Sequence, residues 1–284
     1  MTHDPKNTIA FQGIAGAHSD AACKHAYPYM HTLPCPAFED VFAAVEEGRA
    51  VLAHIPIENS SAGRVAEVHN LLPHTKLHIV GEYFHKVRHH LLGLKGAKLE
   101  DVKAVYSHPQ ALMQCRLSCR KLGLAQEPYF DTAAAAQQIA EWKDKSKAAL
   151  ASDLAGELYG LQILQEDMQD SPNNTTLFVA FAKEPEEINF AKEKQVLTTM
   201  LFTTRNIAAG LYKALGGFAT NGVNLVKLES YIPDYAAGTA QFFITFEGYP
   251  EEKRVSHALD ELGFFTKNAR LLGVYPADAV RYKA

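Results

Sequence analysis

Cysteine is scarce: 284 residues contain four, Cys23, Cys35, Cys115 and Cys119, and no two form a Cys-x-x-Cys pair. That number and spacing exclude a disulfide-framed domain and a thiolate metal ribbon, and they predict a reducing compartment, the cytoplasm. Long apolar runs are missing as well. None approaches the ~20 residues that a membrane-crossing helix requires, so no membrane partner is expected. Residues 1–8 are polar and have neither the basic start nor the apolar centre of a secretory signal. An excess of positive charge is absent too: 28 Lys and Arg stand against 32 Asp and Glu, a formal net charge of −4. Phosphate backbones are bound by concentrated cations, so this balance argues against nucleic acid as a partner. A local basic cluster, Arg116–Lys121, reads as a solvated helix face.

What is present is the mixture of a globular protein, 47% apolar and 21% charged, in a chain long enough to bury a sizeable core. A charged stretch containing Lys183-Glu184-Pro185 and Lys192-Glu193-Lys194 divides it. The expected domains are 7–183 and 195–277, joined by a linker at 184–194. The first reads as α/β, with apolar runs at 8–11, 50–57 and 104–106 as buried strands between helical stretches. Val41, Phe42 and Val45 carry helical spacing up to Gly48, and Asp131-Thr132 caps a helix over 133–142. After the linker come strand 196–203, helix 207–220, strands 223–230 and 240–247, helix 251–262 and strand 269–275. That β-α-β-β-α-β order is the ferredoxin-like arrangement, which hosts many functions.

Four polar segments carry the candidate chemistry. Gly13-Ile14-Ala15-Gly16-Ala17-His18-Ser19 follows the first strand. It reads either as a turn whose free N–H groups bind an anion or as a plain tight turn. It has neither the Lys-Ser/Thr of a P-loop nor a third glycine at dinucleotide spacing. In Pro56-Ile57-Glu58-Asn59-Ser60-Ser61, Glu58 can serve as acid or base, and Asn59 and Ser60 can hold a carboxylate. The same segment also reads as a helix N-cap at Ser60 or Ser61. Ser107-His108-Pro109-Gln110 follows another strand, with His108 either a base or a turn residue. Asn173-Asn174-Thr175-Thr176 leads into a strand from Phe178, and a threonine hydroxyl there can donate to a leaving group. His74 and His78, and likewise His85 and His89, stand four apart with His90 adjacent. Four-spacing suits a metal on a helix, whereas 77–92 reads as strand and loop, so no metal site is expected.

Taken in order, these segments resemble the prephenate dehydratase family. The resemblance implies an α/β two-lobed, periplasmic-binding-protein-like catalytic domain with its active site between the lobes. The part after the linker resembles an α+β ACT regulatory domain. Ala209-Gly210-Leu211 stands where that family has Gly-Ala-Leu, and Asn224-Leu225 and Glu229-Ser230 match its Ile-Asn-Leu and Glu-Ser motifs. The implied reaction turns prephenate into phenylpyruvate, carbon dioxide and water, in phenylalanine biosynthesis, without cofactor or metal. Thr176 matches the threonine of the family's Thr-Arg-Phe motif and is implied as the hydroxyl acting on the leaving group. Glu58, Asn59, Ser60, Ser107 and Gln110 are implied to line the cleft. Phenylalanine is implied as effector at Ala209, Gly210, Leu211, Asn224, Leu225, Glu229 and Ser230, in a homodimer or homotetramer. Arogenate dehydratase and a catalytically silent sensor of aromatic acids or amino acids are the competing functions.

Two departures stand out. Thr176-Leu177-Phe178 lacks the motif arginine. Either a carboxylate anchor is lost, with Arg64 and Arg88 as candidate replacements, or position 177 faces away from Thr176, as successive strand residues do. Tyr231-Ile232 stands where the ACT motif continues Arg-Pro, which leaves the effector's identity open.

Overall fold

The first strands are parallel because a helix carries the chain back over the sheet after each one. In the computed structural model, which describes residues 4–190, 195–232 and 240–282, β1 (Thr8–Gln12) leads through α1 (His18–Ala26) to β2 (His31–Cys35). From there α2 (Phe38–Glu46) leads to β3 (Leu52–Asn59), and both β2 and β3 pair in parallel with β1. Helix α2 forms as its spacing predicts: Phe38, Val41, Phe42 and Val45 are all buried. A short strand β4 (Gly63–Arg64) folds back on β3, followed by α3 (Ala66–Leu71) and β5 (His78–Lys86).

A second lobe follows. It contains β6 (His90–Gly93), β7 (Ala104–Ser107), α4 (Pro109–Gln114), α5 (Arg116–Lys121), β8 (Ala125–Pro128), α6 (Thr132–Trp142), β9 (Lys147–Ala151), α7 (Asp153–Tyr159) and β10 (Gln162–Gln165). Its sheet order is β10-β6-β9-β7-β8. Asp131 caps α6 as expected, its Oδ1 accepting from the N–H groups of Ala133 and Ala134 at 2.8 and 2.9 Å, a contribution of about 1 kcal/mol. The chain then returns through β11 (Thr175–Ala182), which inserts between β3 and β5 to give the order β2-β1-β3-β11-β5. This strand begins three residues before the expected Phe178. The Thr175 carbonyl accepts from Ser60 N–H at 2.9 Å, so polar residues that look like loop are held in the ladder.

The last part of the charged linker, 191–194, lies outside the described residues. Beyond it come β12 (Val196–Thr204), α8 (Gly210–Thr220), β13 (Leu225–Tyr231), β14 (Gln241–Glu247), α9 (Lys253–Phe265) and β15 (Thr266–Pro276). They form an antiparallel sheet of order β13-β14-β12-β15 over a core that includes Phe202, Phe218, Phe246 and Leu262.

By packing, the chain divides into Met1–Val68 with Tyr83–Phe178, and His69–Glu82 with Val179–Ala284. Residues 69–82 are thus built into the second unit. The His69 ring meets Phe243 edge-on at 5.5 Å. A Cβ on Gly273 would overlap the Ile79 carbonyl, so only glycine lets the two backbones approach. The fully buried Glu82 carboxylate accepts from Arg281 Nε and Nη2 at 2.6 and 2.8 Å.

Candidate active site

Because β3 and β11 are neighbours, Asn59 at the end of one meets Thr176 near the start of the other. The N–H groups of Ser61 and Ala62 both donate to Asn59 Oδ1 at 2.9 Å, an Asx turn built on backbone donors. With its oxygen held there, the amide presents Nδ2 on the opposite side. That nitrogen donates to Thr176 Oγ1 at 2.9 Å and to Asn174 Oδ1 at 2.8 Å. Thr176 Oγ1 therefore accepts from Asn59, and its own proton is directed elsewhere. Asn59 and Thr176 line a cavity of about 490 Å³ in the first unit, together with Gln110, Gln114, His89 and Arg64 among others. That volume suits a small organic ligand.

Of the six implied catalytic residues, Asn59, Gln110 and Thr176 line this cavity, and Glu58, Ser60 and Ser107 do not. Glu58 is held in the β3–β4 hairpin opposite Arg64, and of this pair it is Arg64 that borders the cavity. The Ser60 hydroxyl donates to the Asn173 carbonyl at 2.6 Å and accepts from Thr175 N–H at 3.0 Å, stapling the loop to the start of β11. Ser107 is fully buried, its hydroxyl donating to the Leu150 carbonyl at 2.6 Å.

Three N–H groups of the glycine turn are committed within the protein. Gly16 N–H donates to the buried Asp20 carboxylate at 2.8 Å, and Gly13 and Ala17 N–H donate to the carbonyls of Cys35 and Ile14. The turn also ties the lobes together, since Ser152 Oγ donates to the Gly16 carbonyl at 2.6 Å and Tyr159 to that of Ala15 at 2.9 Å. His108 caps α4, its Nδ1 accepting from Gln110 N–H at 3.2 Å while the ring also borders the cavity.

Position 177 faces away from the cleft. Thr176 and Phe178 line the cavity and Leu177 between them does not; it is buried, 9% exposed. Leu177→Arg is therefore expected to place an unpaired charge in the core and to lower unfolding stability by at least about 2 kcal/mol without raising turnover. Denaturant melts beside an activity assay check both halves. Arg64 is the one guanidinium, and no lysine appears, among the described residues lining the cavity. Arg88 is committed elsewhere, its Nε and Nη2 donating to Asp167 at 2.7 and 2.6 Å.

Polar side chains outside the six implied catalytic residues also line the cavity, Gln114, His89 and His18 among them. Gln114 is one helical turn beyond Gln110 on α4, a same-face spacing that could have revealed it. The histidines gather only through the fold. His18 Nε2 and His89 Nδ1 lie 3.2 Å apart, and His89 Nε2 is 3.1 Å from Gln114 Oε1. Burial pulls His89 down to about 4, against the upward pull of the Gln114 hydrogen bond. Burial and His25 bring His85 to about 4 as well, and burial with His89, His85 and His90 holds His18 well below its ordinary value. These rings stay neutral near pH 7.

As pH falls below the ordinary histidine value of 6.5 the unfolded chain takes up protons that the folded chain refuses until about 4. Stability is therefore lost progressively between those limits, on the order of 3 kcal/mol by pH 4 from His89 alone. Thermal melts at pH 8, 6 and 4 are expected to show a falling midpoint, and a flat profile would refute the assignment. Among the described residues no group of three or more His, Cys, Asp or Glu side chains is placed to hold a metal ion.

Two α/β lobes around a cavity lined by amides, imidazoles, the hydroxyls of Ser19, Thr132 and Thr176, and the charged Arg64 and Asp131 define a small-molecule site. The chain belongs to the prephenate dehydratase family, whose model matches residues 9–186. It is 46% identical over 275 residues to the bifunctional N-acyl-homoserine lactone acylase/prephenate dehydratase of Komagataeibacter europaeus, covering 97% of this chain and 98% of the relative. It is 39% identical over 292 residues to arogenate dehydratase 2 of Petunia hybrida, covering 98% of this chain and 74% of that one. Among solved structures, GqqA, described as a novel type of quorum-quenching acylase, gives a TM-score of 0.90 at 46% identity over 96% of this chain and 99% of the other. The prephenate dehydratase of Arthrobacter aurescens in complex with L-Phe gives 0.85 at 28% identity, over 95% and 89%. The shared architecture is the two-lobed, periplasmic-binding-protein-like α/β fold.

Proposed function

We propose that the chain is a prephenate dehydratase of phenylalanine biosynthesis. The observation that carries this reading is the Thr176 hydroxyl, fixed as an acceptor from Asn59 at 2.9 Å and thus a donor toward the cleft. In the reaction the bond from ring to carboxylate breaks, its electron pair moves through the diene, and the ring C–O bond breaks. Carbon dioxide, phenylpyruvate and, with one proton, water result. Aromatisation drives the step, so the enzyme has only to hold a dianion and assist a departing hydroxide. Thr176 would hydrogen-bond the leaving oxygen, and Arg64 would face a substrate carboxylate. Purified protein incubated with prephenate is expected to yield phenylpyruvate. Absence of turnover on both prephenate and arogenate, with either still bound, would instead identify a silent sensor.

Arogenate, which carries an amino group on the side chain, is the substrate named for several relatives at about 40% identity. Side-by-side kcat/KM values decide between the two. A second reading is amide hydrolysis of acyl-homoserine lactones, favoured by 46% identity to proteins named as acylases. Release of free homoserine lactone would support it, and a Thr176→Ala variant would show whether it uses the same cleft.

The unit from β12 to β15 is proposed to be an ACT domain that binds phenylalanine and biases the cleft, in a cytoplasmic homodimer or homotetramer. Ala209 holds a left-handed φ of 57° just before α8, and a Cβ on Gly210 would come within 2.9 Å of the Arg205 carbonyl. Leu225, Glu229 and Ser230 lie on the edge strand β13, preceded by Asn224.

A further inference from the structure

We propose that Gln114, Asn174 and His89 are positioning residues, a one-way hydrogen-bond chain, directed by the turn at Asn59, that holds the Asn59 amide in place against Thr176. Its effect on turnover rests on the dehydratase reading; its direction does not.

The direction follows from backbone groups that cannot reverse. The N–H groups of Ser61 and Ala62 hold Asn59 Oδ1, so Asn59 Nδ2 must face Asn174. Asn174, 1% exposed, must then present Oδ1 to Asn59 and turn its own Nδ2 to Gln114 Oε1, 3.1 Å away. Gln114 Oε1 can only accept, so His89 Nε2, at 3.1 Å, must carry the ring proton. His89 Nδ1 is then bare and accepts from His18 Nε2–H at 3.2 Å. Every link fits one tautomer of each imidazole, in keeping with rings that burial keeps neutral.

The opposite His89 tautomer would set a bare Nε2 against Gln114 Oε1. Turning Gln114 to relieve that clash would oppose two amide nitrogens at Asn174. Turning Asn174 would repeat the conflict at Asn59, which the backbone forbids from turning. The turn at Asn59 thus sets both the direction of the Thr176 hydroxyl and, four links away, the tautomer of His89. Asn174 is not among the residues lining the cavity, so a kinetic effect at that position must travel through its partners Asn59 and Gln114, which are.

Two substitutions separate direction from mere packing. Gln114→Glu keeps an acceptor for both donors, and its loss in kcat is expected to be at least about tenfold smaller than that of Asn174→Asp, while the introduced carboxylate raises the His89 protonation range. Asn174→Asp removes the donor and faces one acceptor with another. It is expected to lower kcat by about 30- to 100-fold, with KM within about threefold, the signature of an interaction made at the leaving group. The direction is read separately in the wild-type protein by two-bond ¹⁵N–¹H correlation, where both His89 and His18 should appear as Nε2–H tautomers. An Nδ1–H His89, wild-type kcat in Asn174→Asp, or an equal loss in Gln114→Glu and Asn174→Asp would each overturn the proposal. A wild-type chain inert toward prephenate and arogenate yet showing both tautomers would remove the dehydratase reading and uphold the direction of the chain.

Discussion

Replacing Thr176 with alanine is expected to lower kcat for phenylpyruvate formation by about 10²- to 10⁴-fold, with KM within about threefold. The hydroxyl is buried, 9% exposed, and anchored at 2.9 Å by a nitrogen that occupies one lone pair and leaves its proton to be donated elsewhere. A departing hydroxide gains most from such a donor because its charge appears only as the C–O bond breaks, which places the loss in kcat rather than in binding. Thr176→Ser keeps the hydroxyl and should recover most of the rate, whereas Thr176→Val keeps the shape and should not. Steady-state kinetics of the three variants, with melts confirming that they fold, decide the matter. Equal activity in Thr176→Val and wild type would remove Thr176 from the mechanism.

Asn59→Asp is expected to cost about 10²-fold or more in kcat, by reversing a hydrogen bond rather than deleting one. An aspartate can still accept from Ser61 and Ala62 N–H, so the turn survives. Its other oxygen has no proton to give, and the Thr176 hydroxyl turns to donate to the carboxylate, a charge-assisted bond that outcompetes the cleft. The sign of the pH response distinguishes this from simple damage. Protonation of the introduced carboxyl restores a donor toward Thr176, so the variant's kcat should rise relative to wild type as pH falls. A variant whose relative rate stays constant with pH would contradict the reversal.

The fold was legible where local chemistry decides it. Phe38, Val41, Phe42 and Val45 carry one helical face, and the Asp131 cap needs only its own neighbours. The start of β11 was not, because Asn174, Thr175 and Thr176 are polar and extended only by pairing with residues some 115 positions earlier, such as Ser60 and Asn59. The packing of residues 69–82 was not legible either, because nothing local shows that His69 meets Phe243 or that Glu82 meets Arg281. At the site, Asn59 and Thr176 were reached through the family's motifs, and their mutual contact spans 117 residues. Ser107 stands at a strand mouth like a site residue, yet its hydroxyl is answered by Leu150, 43 residues on, inside the sheet. His18 and His89 carry no shared motif, since 71 residues separate them and only the closing of two lobes sets them side by side.

The most direct test of the central claim is the time course of phenylpyruvate formation from prephenate by the purified wild-type chain and Thr176→Ala. Turnover by the wild type that falls at least about a hundredfold in the variant is the expected result. Comparable rates in the two proteins, or none in the wild type with either prephenate or arogenate, would contradict it.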